Sequence, residues 1–219
     1  MNPPDTWRML LTEKEIQTVV RKIAAEINLK FKDTPVILTC ILKGAAWFLV
    51  DLTRHLTIPY TTSFLEARSY HDNQTQSDEI EILSNIDPKI LKGRTIILLD
   101  ELFDNGKTLR EVKNKLGCLQ AENVLNGLPL NEKNDIFTCT LFIKDKPVNT
   151  ELPNLSGITI PDVWVVGYGL DDQEEKRGWP ALYACPKMPG IPNTKDDDLF
   201  ISKNKYQEIC IKLYVNINK

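Results

Sequence analysis

Apolar and polar residues follow two different rhythms along this chain. From Thr12 the sequence reads Thr-Glu-Lys-Glu, a capping box, and Ile16, Val19, Val20, Ile23, Ala24 and Ile27 then recur at steps of three and four. That period lines one face of a helix and predicts one over about residues 13 to 29. Pro35-Val-Ile-Leu-Thr-Cys-Ile-Leu42 is instead a continuous apolar run of strand length, rich in β-branched residues, and predicts a strand buried on both faces. After Lys43-Gly44 the rhythm is helical again through Ala45, Trp47, Phe48, Val50 and Leu52 to Arg54-His55. Strand, glycine turn and helix make a parallel-sheet unit.

The unit repeats further on. Arg94-Thr-Ile-Ile-Leu-Leu99 is a second buried run, and a turn containing Gly106 leads into a helix over Thr108 to Leu116. Phe137 to Ile143 and Val163 to Gly167 add two more apolar runs, for four expected central strands. Strands separated by helices predict an α/β fold with a mostly parallel sheet. Thr61–Leu65 and Glu79–Leu83 read as strands flanking the polar stretch Ser69 to Glu79, which is expected to be an exposed, mobile excursion from a hairpin. Near the C-terminus, Pro189-Gly190-Ile191-Pro192 reads as a linker before a short helix over Tyr206, Ile209 and Leu213.

Composition narrows the class. The chain has 219 residues, 42% of them hydrophobic and 26% charged, which suits one large domain or a domain with an added lobe and excludes a disordered chain. Its 27 Lys and Arg against 30 Asp and Glu give a net charge of -3 with no long basic block, which argues against a nucleic-acid surface. No apolar run approaches the roughly 20 residues of a membrane helix, so a soluble, cytoplasmic protein with no membrane partner is expected. Cys40, Cys118, Cys139, Cys185 and Cys210 are odd in number, scattered and without C-x-x-C spacing. Reduced thiols are expected rather than disulfides or a zinc site.

The chemistry concentrates in Ile96-Ile-Leu-Leu-Asp-Glu-Leu-Phe-Asp-Asn-Gly-Lys-Thr-Leu109. A small loop opening a helix offers backbone N–H groups to a phosphate, with Gly106 permitting close approach and Thr108 adding a hydroxyl. Asp100 and Glu101 are expected to end the strand, at the carboxyl edge where open α/β sheets bind ligands. Adjacent carboxylates there suit a sugar diol or a hydrated Mg²⁺. A Walker loop is excluded, because no glycine stands five residues before Gly106, where the motif requires one.

This block resembles the phosphoribosyl-pyrophosphate motif of the type I phosphoribosyltransferases. Three further segments, in family order, resemble the hypoxanthine-guanine branch: Cys40-Ile-Leu-Lys-Gly-Ala-Ala-Trp-Phe48, Leu141-Phe-Ile-Lys144, and Trp164-Val-Val-Gly-Tyr-Gly-Leu-Asp171. The resemblance covers about residues 10 to 186 and implies a mostly parallel twisted sheet flanked by helices, with a small hood lobe. Residues 187 to 219 are then a C-terminal extension, and the link from Gly117 to Asn134 is longer than in the family.

Carried residue by residue, the resemblance implies that Asp104, Asn105, Gly106, Lys107 and Thr108 hold a 5-phosphate and that Asp100 and Glu101 hold ribose hydroxyls. It implies pyrophosphate at Leu42, Lys43, Gly44 and Arg177, where the Leu-Lys peptide can be cis, and a closing loop at Ser69-Tyr70. Lys144 would meet the purine 6-oxo group, Trp164 would stack on the base and Val165 would contact it through its backbone. Asp171, which also borders the purine, would join Asp100 and Glu101 around Mg²⁺, and Asp104 is the candidate base at purine N7. The family usually carries Glu-Asp and Thr or Ser where this chain has Asp100-Glu101 and Asn105. The implied activity is Mg²⁺-dependent transfer of phosphoribose to a 6-oxo purine by a homodimer or homotetramer. The departures keep a second reading open, a regulator on the same scaffold that senses the phosphoribosyl donor.

Overall fold

The structure, a computed structural model, describes residues 3–4, 6–71, 78–82, 94–125 and 135–185. Helix α1 spans Glu13–Lys30. Its capping box is formed: Thr12 Oγ1 accepts from the Glu15 N–H at 3.3 Å while Glu15 Oε2 accepts from the Thr12 N–H at 2.8 Å. Strand β2 (Val36–Leu42) follows, then α2 (Ala45–Thr53), and the hairpin of β3 (Tyr60–His71) with β4 (Asp78–Ile82). Strand β5 (Thr95–Phe103) leads into α3 (Lys107–Leu125), after which β6 (Ile136–Lys144) and β7 (Leu155–Ile160) complete the main sheet.

That sheet has the order β4-β3-β2-β5-β6-β7, with β3 to β7 parallel along the row and only β4 antiparallel at the edge. Alternation along the strands divides the core. Val36, Leu38 and Cys40 join Ile97 and Leu99 under α1 and α2, while Ile37, Ile41, Ile96 and Leu98 pack under α3 with Leu109, Val112 and Leu116. Successive connections run from β2 outward to β3 and then restart on its other side at β5. This reversal leaves a crevice between the carboxyl ends of β2 and β5.

A smaller sheet of order β1-β9-β8 joins both ends of the described chain, through β1 (Arg8–Leu11), β8 (Val165–Val166) and β9 (Leu182–Ala184). Trp7, Val166, Ala181 and Tyr183 form its own apolar cluster, and Trp179 stacks edge-on against both Trp7 and Tyr183. This is the hood lobe.

Several expectations change. The run Val163 to Gly167 is not a fourth central strand; only Val165–Val166 is strand, and it pairs antiparallel with β9 in the hood. The fourth helix-side strand of the main sheet is β7, whose half-exposed Leu155-Ser-Gly-Ile-Thr-Ile160 lacks a continuous apolar signature. Asp100 and Glu101 do not end their strand, because β5 continues to Phe103, whose ring is buried under α3. Helix α3 runs through Gly117 to Leu125, so the first part of the long link is helical. The hairpin strands reach His71 and restart at Asp78, which shortens the expected excursion; residues 72–77 lie outside the described residues, as do 126–134 and the 186–219 tail with its linker and short helix. Cys40, Cys118, Cys139 and Cys185 are free thiols, and Cys210 lies outside the described residues. Among the described residues no helix is long and apolar enough to cross a membrane.

Candidate active site

The carboxyl ends of β2 and β5 open into a cleft of about 740 Å³. Leu42, Lys43, Gly44, Asp100, Glu101, Thr108, Asp171 and Arg177 all line it, so most residues named for the donor share one space. Glu66, Leu102, Leu170 and Glu174 line it as well.

The turn after β2 is shaped by its neighbours. The Leu42-Lys43 peptide is cis. Gly44 lies against the Glu101 carboxylate so closely that a Cβ there would stand 1.8 Å from Oε1. On its other side Gly169, at φ +95°, presses its α carbon on the Gly44 carbonyl, where an added Cβ would be 2.2 Å from the oxygen. The segment that carries Gly169 is pinned from behind, since the buried Tyr168 hydroxyl donates to Asp51 Oδ2 on α2 at 2.7 Å. Burial raises the Tyr168 phenol, and the hydrogen bond to Asp51 raises it further, so it remains a donor.

Asp100 and Glu101 are two adjacent acids in the second half of β5. Asp100 is only 8% exposed, and its Oδ1 accepts from the Glu101 N–H at 3.0 Å. Burial pushes the Asp100 carboxyl well above the ordinary carboxylate range, and the Glu101 charge adds to it. Glu101 is also raised, by burial, although its bond from Asp100 and the Arg177 charge pull the other way. A pair held part-protonated in a cleft is relieved by hydrogen-bond donors or by a cation. The same charges and burial push the Cys40 thiol, one strand away, up to about 12.

The cations in the cleft are paired with acids. Arg177 Nη2 lies 2.7 Å from Asp171 Oδ1, its Nη1 donates to the Gly169 carbonyl at 2.8 Å, and Lys43 Nζ reaches Glu174 Oε2 at 2.7 Å. Arg177 Nε is buried without a partner. Asp171 is therefore tied to Arg177, and among the described residues no three His, Cys, Asp or Glu side chains converge as a metal cage.

The loop from Asp104 to Thr108 turns at Gly106, φ +75°, whose missing Cβ leaves room for the Phe103 ring and Thr150. Thr150 Oγ1 donates to the Asn105 carbonyl at 3.0 Å, and Asn105 Oδ1 accepts the Lys107 N–H at 3.0 Å. Asn105 thus engages one N–H of the cradle, which a bound phosphate would have to win from it. Thr108 faces the cleft.

Beside the cleft, Lys144 is held 3.3 Å from Asp104 Oδ2. Lys146 and Asp162, which the motifs passed over, complete this group: Lys146 contacts Asp104 Oδ1, and Asp162 Oδ1 lies 3.3 Å from Lys144 and 3.4 Å from Lys146. The register that sets Lys144 opposite Ile160 could have suggested it, since it brings Lys146 and Asp162 to the same sheet end. Trp164 is 43% exposed just before β8, Val165 is buried in β8, and the Cys185 N–H donates to the Trp164 carbonyl at 2.9 Å. Ser69 and Tyr70 belong to the backbone of β3, but their side chains lie outside what the structure describes.

A family model described as the phosphoribosyl transferase domain matches residues 6–173. The hypoxanthine phosphoribosyltransferase of Buchnera aphidicola is 30% identical over 183 residues, covering 81% of this chain and 94% of its own. That of Salmonella typhimurium is 28% identical over 178 residues, with 80% and 93% covered. A solved hypoxanthine-guanine phosphoribosyltransferase from Bacillus anthracis superposes with a TM-score of 0.69 at 28% identity, over 81% of this chain and 97% of that one. With its crevice at the β2 and β5 ends, its hood and this run of matched residues, the chain belongs to the phosphoribosyl transferase domain family, on the hypoxanthine-guanine phosphoribosyltransferase branch.

Proposed function

We propose that the protein serves purine salvage, transferring 5-phosphoribose from phosphoribosyl pyrophosphate to hypoxanthine or guanine with Mg²⁺ and releasing pyrophosphate. The observation that carries this is the buried Asp100 and half-buried Glu101 facing the Leu42–Gly44 turn, with the Asp104–Lys144 pair at the same sheet end. Ribose hydroxyls donate to Asp100 and Glu101, which relieves two acids that burial disfavours as anions. Backbone N–H groups of Asp104 to Thr108 receive the 5-phosphate at the start of α3.

Lys43 and Arg177 attract pyrophosphate after exchanging Glu174 and Asp171 for it. Asp104 accepts the proton from purine N7. Lys144 donates to the 6-oxo group, a match that an exocyclic amine cannot make, so adenine is a poor substrate. Trp164 stacks on the base, Val165 contacts it through the backbone, and the loop at Ser69-Tyr70 closes to exclude water. The donor set fits Mg²⁺, which binds one or two carboxylates and takes its remaining ligands from substrate oxygens and water. Asp100 and Glu101 would hold it, with Asp171 joining once Arg177 lets go. When bound, the ion neutralises charge on the departing pyrophosphate. A homodimer or homotetramer is part of the proposal, and light scattering of the full chain checks it.

The test is a spectrophotometric assay with Mg²⁺, phosphoribosyl pyrophosphate and each of hypoxanthine, guanine, xanthine and adenine, run beside Asp104→Asn and Lys144→Ala. Turnover of 6-oxo purines that both substitutions weaken supports the reading. Equal use of adenine, or a folded protein that binds the donor without turnover, defeats it; the relatives are phosphoribosyltransferases and give no support to the regulator reading.

A further inference from the structure

Two tight turns bring four charges together at the end of the main sheet. After β6 the Lys146 N–H donates to the Lys144 carbonyl at 3.0 Å, and after β7 the Val163 N–H donates to the Pro161 carbonyl at 2.9 Å. Bonds between residues two apart fold the chain over at once. Lys144 and Lys146 therefore meet Asp104 and Asp162 in a ring in which each acid touches both lysines.

The ring is not symmetrical. Lys144, only 10% exposed, stands 3.3 Å from an oxygen of each acid, longer than the roughly 2.7–2.9 Å of a firm charge-assisted bond. It is shared by two acids and committed to neither. Lys146 instead contacts Asp104 Oδ1 closely and takes Asp162 as its second partner. Partial burial alone would pull the Lys146 ammonium down, but Asp104 and Asp162 more than offset this and hold it above its ordinary value.

We propose that Lys146 is a positioning residue for proton transfer at Asp104: it fixes Oδ1, presents Oδ2 to the purine, and keeps a cation on the carboxylate when Lys144 turns to the 6-oxo group. The inference rests on the reading of Asp104 as proton acceptor. In that step the N7–H bond breaks, its electron pair stays on the imidazole ring, and the proton forms an O–H bond at Oδ2. A cation beside a carboxylate favours its charged form. Charged groups on the elements around it include Asp100 and Glu101 on β5, Lys107 at the start of α3 with Arg110, Glu111, Lys113, Lys115 and Glu122 further along it, and Asp145 between the lysines.

The experiment is the pH profile of kcat/KM for hypoxanthine in the full chain and in Lys146→Met, Lys146→Arg and Asp104→Asn. Lys146→Met is expected to move the acid limb up by about one unit, so that kcat/KM drops about tenfold below the limb and changes little above it. Lys146→Arg restores the limb, and preference for hypoxanthine over adenine persists in both, because it belongs to Lys144. An unmoved limb in Lys146→Met, or a loss equal at every pH that Arg does not rescue, overturns the inference. Full activity in Asp104→Asn would instead remove the parent reading, whatever Lys146 does.

Discussion

Gly169→Ala isolates the closest approach between the hood segment and the turn after β2. The residue sits at φ +95°, and an added Cβ would lie 2.2 Å from the Gly44 oxygen and 3.0 Å from its carbonyl carbon. Placing a non-glycine residue in that region costs on the order of 1–3 kcal/mol. Relieving the overlap means moving one backbone segment off another by about 1 Å, an overpacking cost of about 1–3 kcal/mol. The two add to roughly 4 kcal/mol, and for a domain of this size each kcal/mol lowers Tm by about 2–4 °C. The expected fall is therefore about 8–16 °C in calorimetry. Gly178→Ala is the matched control, since nothing lies within 4 Å of a Cβ there, and it should leave Tm within about 2 °C.

Catalysis should suffer more than folding. Gly44 also backs onto Glu101, so a displaced turn shifts the pocket wall against the acid pair. A misplacement of about 1 Å near reacting groups can cost about 10²-fold in rate. kcat/KM for phosphoribosyl pyrophosphate at 25 °C, where the variant remains folded, is the second readout. A Gly169→Ala protein with both Tm and kcat/KM at control values would show that the loops do not bear on each other as described.

Other perturbations probe separate parts of the fold. Stability contributed by protonated Asp100 and Glu101 is full below the ordinary carboxylate range, near pH 4, and is lost as pH rises through their raised values. Asp100→Asn should consequently gain Tm relative to the parent at pH 8 compared with pH 5, and an equal difference at both pH values would contradict the raised pair. Tyr168→Phe removes the donor at 2.7 Å from Asp51, which keeps bonds from Gln17 and from Arg54 at 2.8 Å. A loss of about 1–2 kcal/mol in urea unfolding is expected. Gly117→Ala lies within α3 with open space around its Cβ and should stabilise by about 0.5–1 kcal/mol in the same measurement.

What the sequence makes legible depends on whether a segment's neighbours are local or distant. Helix α1 carries its own cap and an unbroken stripe, and its observed limits differ from the expected ones by a single residue at the end. Strands β2 and β5 are buried on both faces, and a run that must be apolar throughout announces itself. Strand β7 has a polar, half-exposed side and a glycine packed on the Leu141 carbonyl, so neither period nor propensity marks it. Val165 and Val166 are equally buried, but in the small hood sheet, and burial alone does not say which sheet covers them. The site divides likewise. Motifs on single turns, such as Leu42–Gly44 and Asp104–Thr108, were visible, whereas the ring of Lys146 and Asp162 depends on the pairing of β6 with β7.

The cleft is built around unfavourable charge. Asp100 is buried and Glu101 half-buried beside it at the switch between β2 and β5, where an apolar pair would favour folding more. Around them, Lys43, Arg177 and Lys144 are each satisfied by an acid of the same chain, at Glu174, Asp171 and Asp104. A phosphorylated sugar entering this space would exchange those pairs one for one and would bring hydroxyl donors to the two acids that lack them. Binding energy would then come from replacing internal partners rather than from filling an unpaired field. The exposed partner, Glu174, is the easiest to displace, because a surface ion pair is worth at most about 1 kcal/mol. The Asp171–Arg177 pair is less exposed, and the same guanidinium holds the Gly169 carbonyl, so it ties Asp171 to the segment that packs on the turn at Gly44.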